Sequence, residues 1–133
     1  MWWDVDEEKR NMDPGCVFCK IVEGKLPSRE VYSDDTVYAF RDASPVAKVH
    51  VLVVPRRHLT ALTSARPGHD ELLGHMLRAG AEVAKKMSIA GSGYRLSINQ
   101  GIDAGQVVDH LHLHVLGGEK LYPMGELKTG TEG

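Results

Sequence analysis

The chain is poor in cysteine: two in 133 residues, Cys16 and Cys19, three positions apart. That is too few and too close for the disulfide framework of a small secreted domain. A reduced pair points instead to a metal or redox role and an intracellular, cytoplasmic or nuclear address. No apolar run approaches the ~18 residues that span a bilayer, so no membrane partner is expected. The start, Met-Trp-Trp followed by charges, lacks the apolar centre of a signal peptide. Neither sign of charge dominates. Sixteen basic and eighteen acidic side chains give a net charge of −2. Bulk electrostatic binding of nucleic acid is therefore not expected. One anionic ligand needs only a few local donors and is not excluded. Internal repeats and low-complexity blocks are also missing.

What is present is an ordinary soluble balance, 42% hydrophobic and 26% charged, in a length that suits one domain with one core. Residues 1–15 read as a disordered tail, with five acidic and two basic side chains closing in Asp13-Pro14-Gly15. The domain is expected over 16–125, and 126–133 reads as a second disordered tail. Cys16–Glu23 fits two helical turns stopped by Gly24. Glu30–Ser33, Thr36–Arg41, Val49–Val54, Tyr94–Asn99 and His110–Leu116 read as strands. Residues 69–88 form the one long helix. Its expected core stripe is Leu73, Met76, Leu77, Gly80, Ala84 and Met87, with Leu72 and Val83 at the edge. This order predicts an α+β domain whose sheet is mostly antiparallel.

The chemistry concentrates in His110-Leu-His-Leu-His114. Side chains alternate faces along a strand, so the three imidazoles share one face, about 7 Å apart. Leu111, Leu113 and Val115 take the other. Three aligned rings suit either a metal site or phosphate chemistry, in which a neutral ring attacks phosphorus and another donates a proton. Gly101-Ile-Asp-Ala-Gly-Gln106 lies just upstream, where backbone N–H groups could converge on an anion. Asn99 adds an amide donor. Cys16-x-x-Cys19 taken alone fits half a zinc site, a redox pair or two buried thiols. A tetrahedral zinc would need histidines to complete it.

His110-Leu-His-Leu-His-Val-Leu-Gly-Gly118 resembles the signature of the histidine triad superfamily. Ser44-Pro45, the block Val49–Pro55 and Leu73-Gly-His75 resemble its Hint branch, the histidine triad nucleotide-binding proteins. The resemblance implies a five-stranded sheet with one long and one short N-terminal helix, paired as a homodimer into a ten-stranded sheet. It implies hydrolysis of purine nucleoside 5′-phosphoramidates, with a nucleotide such as AMP or GMP as ligand. His112 would attack phosphorus. His114, Asn99 and the Gly105 N–H would bind phosphate oxygens, and His50 would assist the leaving group. Asp42 would accept the ribose hydroxyls. Val17, Phe18, Ile21, Phe40 and Ala43 would hold the base, and Gln106 and Val107 would border the phosphate. Many Hint proteins carry serine where this chain has Val107, so one phosphate donor is missing. In some relatives a Cys-x-x-Cys pair binds structural zinc with two histidines, here matching Cys16, Cys19, His58 and His110. The alternatives are a diadenosine polyphosphate hydrolase of the Fhit type and a nucleotide-binding regulator with incidental hydrolysis. No role is expected for His69 or His75.

Overall fold

A computed structural model describes residues 12–124. Helix α1 (Val17–Val22) precedes strands β1 (Glu30–Ser33), β2 (Val37–Arg41) and β3 (Val49–Pro55). Helix α2 (Asp70–Lys86), β4 (Tyr94–Ser97) and β5 (Leu113–Gly117) follow. The five strands form one sheet in the order β1-β2-β3-β5-β4, and every neighbouring pair is antiparallel. Among the described residues no helix is long and apolar enough to cross a membrane.

The period-two pattern decides what each face of the sheet carries. Val37, Ala39, Val51, Val53, Leu113 and Val115 point to α2 and form the larger core with Leu72, Met76, Ala79 and Val83. Phe40, Leu52 and Val54 point the other way and pack with Cys16, Phe18 and Cys19 of the α1 region. The two faces thus have different covers: a 17-residue helix on one, six residues of helix and loops on the other. The thinner cover leaves room for a cavity.

The buried face of α2 is rotated from the expected stripe. Leu72, Met76, Ala79, Gly80, Val83 and Ala84 are buried, while Leu77 is 52% exposed. The apolar arc is wide, and the sheet selects one part of it. Gly80 permits the close approach, because a Cβ there would meet Leu96 and Leu113 side chains at 3.0–3.1 Å. Two histidines outside the triad act in local packing. The Arg66 N–H donates to Nδ1 of His69 at 2.9 Å, ahead of the helix. His75 Nε2 meets Asp34 Oδ2 at 2.6 Å and joins α2 to the β1–β2 turn.

The last two expected strands are shorter than the pattern suggests. β4 ends at Ser97, paired with His114. β5 begins only at Leu113, so His110 and His112 precede the ladder. Pro55 at the end of β3 has no N–H to offer there. Its carbonyl accepts from His110 Nε2 at 2.9 Å, and the Leu111 N–H donates to Leu59 O instead. Face alternation survives: Leu111 joins the α2-side core, and His112 lines the opposite side with His114. Gly118 follows at φ +83°, a left-handed turn that glycine accepts readily.

At the N-terminal end, Met12 packs on the smaller core, and the Cys16 N–H closes a turn onto Asp13 O at 3.0 Å. Residues 1–11, including Trp2 and Trp3, and 126–133 of the two proposed tails lie outside the described residues.

Candidate active site and metal-ligand cluster

Between α1, the ends of β2 and β3, and the segment leading into β5 lies a cavity of about 780 Å³. One end is apolar. Val17, Phe18, Ile21, Phe40, Leu52 and Val108 line it. The chain's only two phenylalanines meet edge to face with centroids 5.6 Å apart. The other end carries Asp42, His50, Asn99, His112 and His114. Ala43, Gly105 and Val107 also border it.

Backbone groups assign the protons of the histidines. His112 Nδ1 lies 2.7 Å from the carbonyl of His110. A carbonyl only accepts, so Nδ1 carries the proton and Nε2 the lone pair. Among the described residues Nε2 makes no hydrogen bond, and the ring lines the cavity. On β3 the Val46 N–H donates to His50 Nδ1 at 3.1 Å. The His50 proton therefore sits on Nε2, 2.8 Å from His114 Nδ1. His114 in turn keeps its own proton on Nε2. Two adjacent rings, 5.0 Å between centroids, thus present a lone pair and an N–H donor. They stand closer than a regular strand row, because His112 lies outside the ladder.

Burial, reinforced by His112 and His50 and opposed by Asp42, pushes His114 down to about 4. Burial and His112 hold His50 below the ordinary histidine range, with Asp42 again opposing. Both rings are neutral at neutral pH. Asp42 Oδ2 lies 3.4 Å from His50 Nε2, and its Oδ1 accepts the Ser44 N–H at 2.7 Å. Ser97 donates to Asn99 Oδ1 at 3.2 Å, which leaves the Asn99 amide donors for a ligand.

The glycine loop differs from expectation. The N–H groups of Ala104, Gly105 and Gln106 all bond within the loop, to Gly101 O, Ile102 O and Gly101 O. Gly105, at φ +84°, closes a 3₁₀ turn and does not offer its N–H to an anion. Gln106 is not a cavity residue. Its Oε1 accepts from Gly101 N at 2.7 Å and its Nε2 donates to Val108 O at 3.1 Å. Val107, 92% exposed, stands at the cavity mouth.

The remaining candidates form a second cluster beside the first. Cys16, Cys19, His58 and His110 place one ligand atom each within 4.8 Å of one another. Cys16 Sγ lies 3.4 Å from His110 Nδ1. Cys19 Sγ lies 3.3 Å from His58 Nδ1 and 3.6 Å from His110 Nδ1. Zinc bonds of ~2.3 Å to sulfur and ~2.05 Å to nitrogen put S and N about 3.6 Å apart on a tetrahedron. The cluster therefore fits zinc. His110 Nε2–H on the Pro55 carbonyl is the outer bond such a ligand uses to turn Nδ1 inward. Burial pushes the Cys19 thiol up to about 11, the Asp13 N–H opposing and Cys16 adding. The three triad rings do not share one ligand set, since His114 falls with Asp42 and His50.

The HIT domain family model matches residues 23–121. The chain belongs to the HIT family. A protein of Escherichia coli K12 named purine nucleoside phosphoramidase is 42% identical over 108 residues, covering 81% of this HIT chain and 91% of that one. A HIT-like protein of Synechocystis is 47% identical over 102 residues, 77% of this chain and 89% of that one. Among solved structures, a histidine triad protein from Clostridium difficile superposes with a TM-score of 0.80 at 41% identity, over 83% and 96% of the chains. A HIT family hydrolase from Clostridium thermocellum gives 0.81, also at 41%, over 84% and 96%. Helix α1, which carries one cavity wall and Cys19, lies with its N-cap Cys16 before the segment that the family model matches.

Sequence reasoning missed the Val46 N–H and the His110 and Pro55 carbonyls. These are backbone groups with no side-chain signal. Leu52 was also missed, although alternation from His50 places it on the cavity face.

Proposed function

We propose that this HIT protein hydrolyses purine nucleoside 5′-phosphoramidates to a nucleotide and an amine. The observation that carries the reading is the His112 proton: fixed on Nδ1 by the His110 carbonyl, it leaves Nε2 free to attack. The Nε2 lone pair forms a bond to the α-phosphorus and the P–N bond to the amine breaks. The amine takes the His114 Nε2 proton while the His50 proton moves to His114 Nδ1 and a proton from bulk water enters at His50, so both rings stay neutral. Water then attacks phosphorus and the P–Nε2 bond breaks. The attacking water gives its proton to His114 Nε2, and the pair returns one to bulk water through His50, which closes the cycle. The His114 Nε2–H and the Asn99 amide stabilise charge on the phosphoryl oxygens. The base lies in the apolar end against Phe18 and Phe40. Stacking dominates there, so AMP and GMP are both accepted. The ribose hydroxyls donate to Asp42.

Cys16, Cys19, His58 and His110 would hold one structural zinc, which supplies a fixed crosslink between α1, the segment after β3 and the approach to β5. The cysteines then serve in a reducing compartment, the cytoplasm or nucleus. The chain pairs as a homodimer through the outer strand β4 and the exposed apolar rim of α2 at Leu77.

The test is to mix an adenosine phosphoramidate with the protein, stop the reaction and weigh the peptide holding residues 110–116. A nucleotidyl adduct on that peptide is expected, with turnover far above that on diadenosine triphosphate. Preference for the dinucleotide would move the assignment to the Fhit-type reaction. No adduct and no turnover on either would leave a nucleotide-binding regulator.

A further inference from the structure

One carboxylate serves both halves of the cavity. Asp42 follows the last residue of β2, and the Ser44 N–H on Oδ1 fixes its rotation. Oδ2 lies 3.4 Å from His50 Nε2, the atom that also faces His114 Nδ1 at 2.8 Å. The proton on His50 therefore has two acceptors, a carboxylate and a neutral ring nitrogen. The other titratable group facing the pair is His112, from the segment ahead of β5. Arg29 and Arg41 line the same cavity. Asp42 raises the proton affinity of the pair, against burial and His112, which lower it.

We propose that Asp42 is a positioning residue that couples ribose recognition to the acidity of the His50–His114 pair. The inference rests on the nucleotide reading above. With no ribose present, Oδ2 faces His50 and raises the proton affinity of the pair. Ribose hydroxyls donating to the same carboxylate disperse its charge and compete with His50 for it. The pair then passes on a proton entering from water more readily, at the stage when a leaving amine needs one. The hydroxyls thereby act on kcat and not only on KM.

The test uses the full chain labelled with ¹⁵N-histidine. The titration of His50 and His114 is followed by NMR without ligand, with saturating adenosine and with saturating 2′,3′-dideoxyadenosine. Neither nucleoside carries a phosphate, and they differ only in the two hydroxyls. Adenosine is expected to lower the midpoint by roughly half a unit more than its dideoxy analogue, a fraction of the ~1–3 units an opposite charge at this range is worth. Equal midpoints with both nucleosides overturn the coupling and leave nucleotide binding standing. Failure of adenosine to bind overturns the nucleotide reading, and this inference with it. Asp42→Asn gives a second arm that does not depend on binding of the analogue, since an amide oxygen can still accept from Ser44. In the free variant the midpoint of the pair should fall by about one unit. An unchanged midpoint assigns Asp42 a purely structural role and overturns the proposal.

Discussion

Two histidine clusters lie on the same face of one sheet, and their surroundings give them opposite chemistry. Cys16, Cys19, His58 and His110 aim four ligand atoms at one point. His110 is fully buried, and its far nitrogen is tied to a carbonyl. His50, His112 and His114 line an open cavity; both nitrogens of His50 are engaged, while His112 and His114 each have one committed. His110 and His112 are two residues apart, yet one faces sulfur and the other faces solvent-accessible space. Residue type does not separate them. The hydrogen bond on the second nitrogen does. The same His110 joins the clusters, since its ring belongs to the first and its carbonyl fixes the tautomer of His112 in the second.

The largest expected effect breaks the comparison at its reactive end. His112→Ala should lower turnover of an adenosine phosphoramidate by roughly 10⁴-fold or more. Bound zinc and thermal stability should stay near wild type, because the ring lines a cavity. A variant that keeps turnover overturns His112 as nucleophile. Breaking the other cluster should have the reverse signature. Cys16→Ser should lose about one zinc per chain and lower Tm by roughly 10 °C, because metal affinity at such a site is folding energy. It should also weaken AMP binding measured by calorimetry, since Cys16 caps the helix that bears Val17, Phe18 and Ile21. An unchanged Tm in chelated protein would remove zinc from the account without touching the reaction.

The comparison also marks how far the sequence could be read. Period-two alternation places Leu111, Leu113 and Val115 against α2 and the histidines opposite, as the structure has them. The sheet, the long helix and its ends near Asp70 and Lys86 were equally legible. The rotation of α2 was not. Its apolar arc is wider than the sheet can cover, and the contact at Gly80 selects the part that is buried. The loop at Gly101–Gln106 misled for a related reason. Glycines permit an anion nest and a tight 3₁₀ closure alike, and only the hydrogen-bond partners distinguish them. Tautomers were out of reach, because Val46 and His110 act through backbone atoms.

Acidity gives a smaller contrast. His114 falls from an ordinary 6.5 to about 4 on folding, through burial first and His112 and His50 after it. Between those values the unfolded chain holds more protons, so stability rises with pH from about 4 to 6.5 and is lost in the other direction. Asp34 runs in parallel at lower pH. Burial raises its carboxyl, but Thr36, His75, Val37 and Tyr32 outweigh burial and hold it well below the usual range. Its contribution is present above the ordinary carboxylate value and disappears as pH falls through the depressed one. His114→Gln should flatten the first slope in a Tm-against-pH series, and Asp34→Asn the second. Slopes unchanged in both variants would mean that other groups carry the acid sensitivity.

The smallest effect sharpens the reactive cluster without touching the metal one. Val107 presents an apolar side chain at the mouth of a cavity whose other end carries Asn99, His112 and His114. Val107→Ser adds one hydroxyl there. A net hydrogen bond of about 1 kcal/mol sets the ceiling, roughly a fivefold gain in kcat/KM. Because the side chain is almost fully exposed, the exchange removes no core packing, and Tm and zinc content should not move. A gain in kcat/KM carried by kcat means that the hydroxyl meets charge that develops in the transition state. A gain carried by KM alone means that it binds the ground-state phosphate equally well. No gain at all means that His114 and Asn99 already satisfy the phosphoryl oxygens, and that valine at this mouth costs the enzyme nothing.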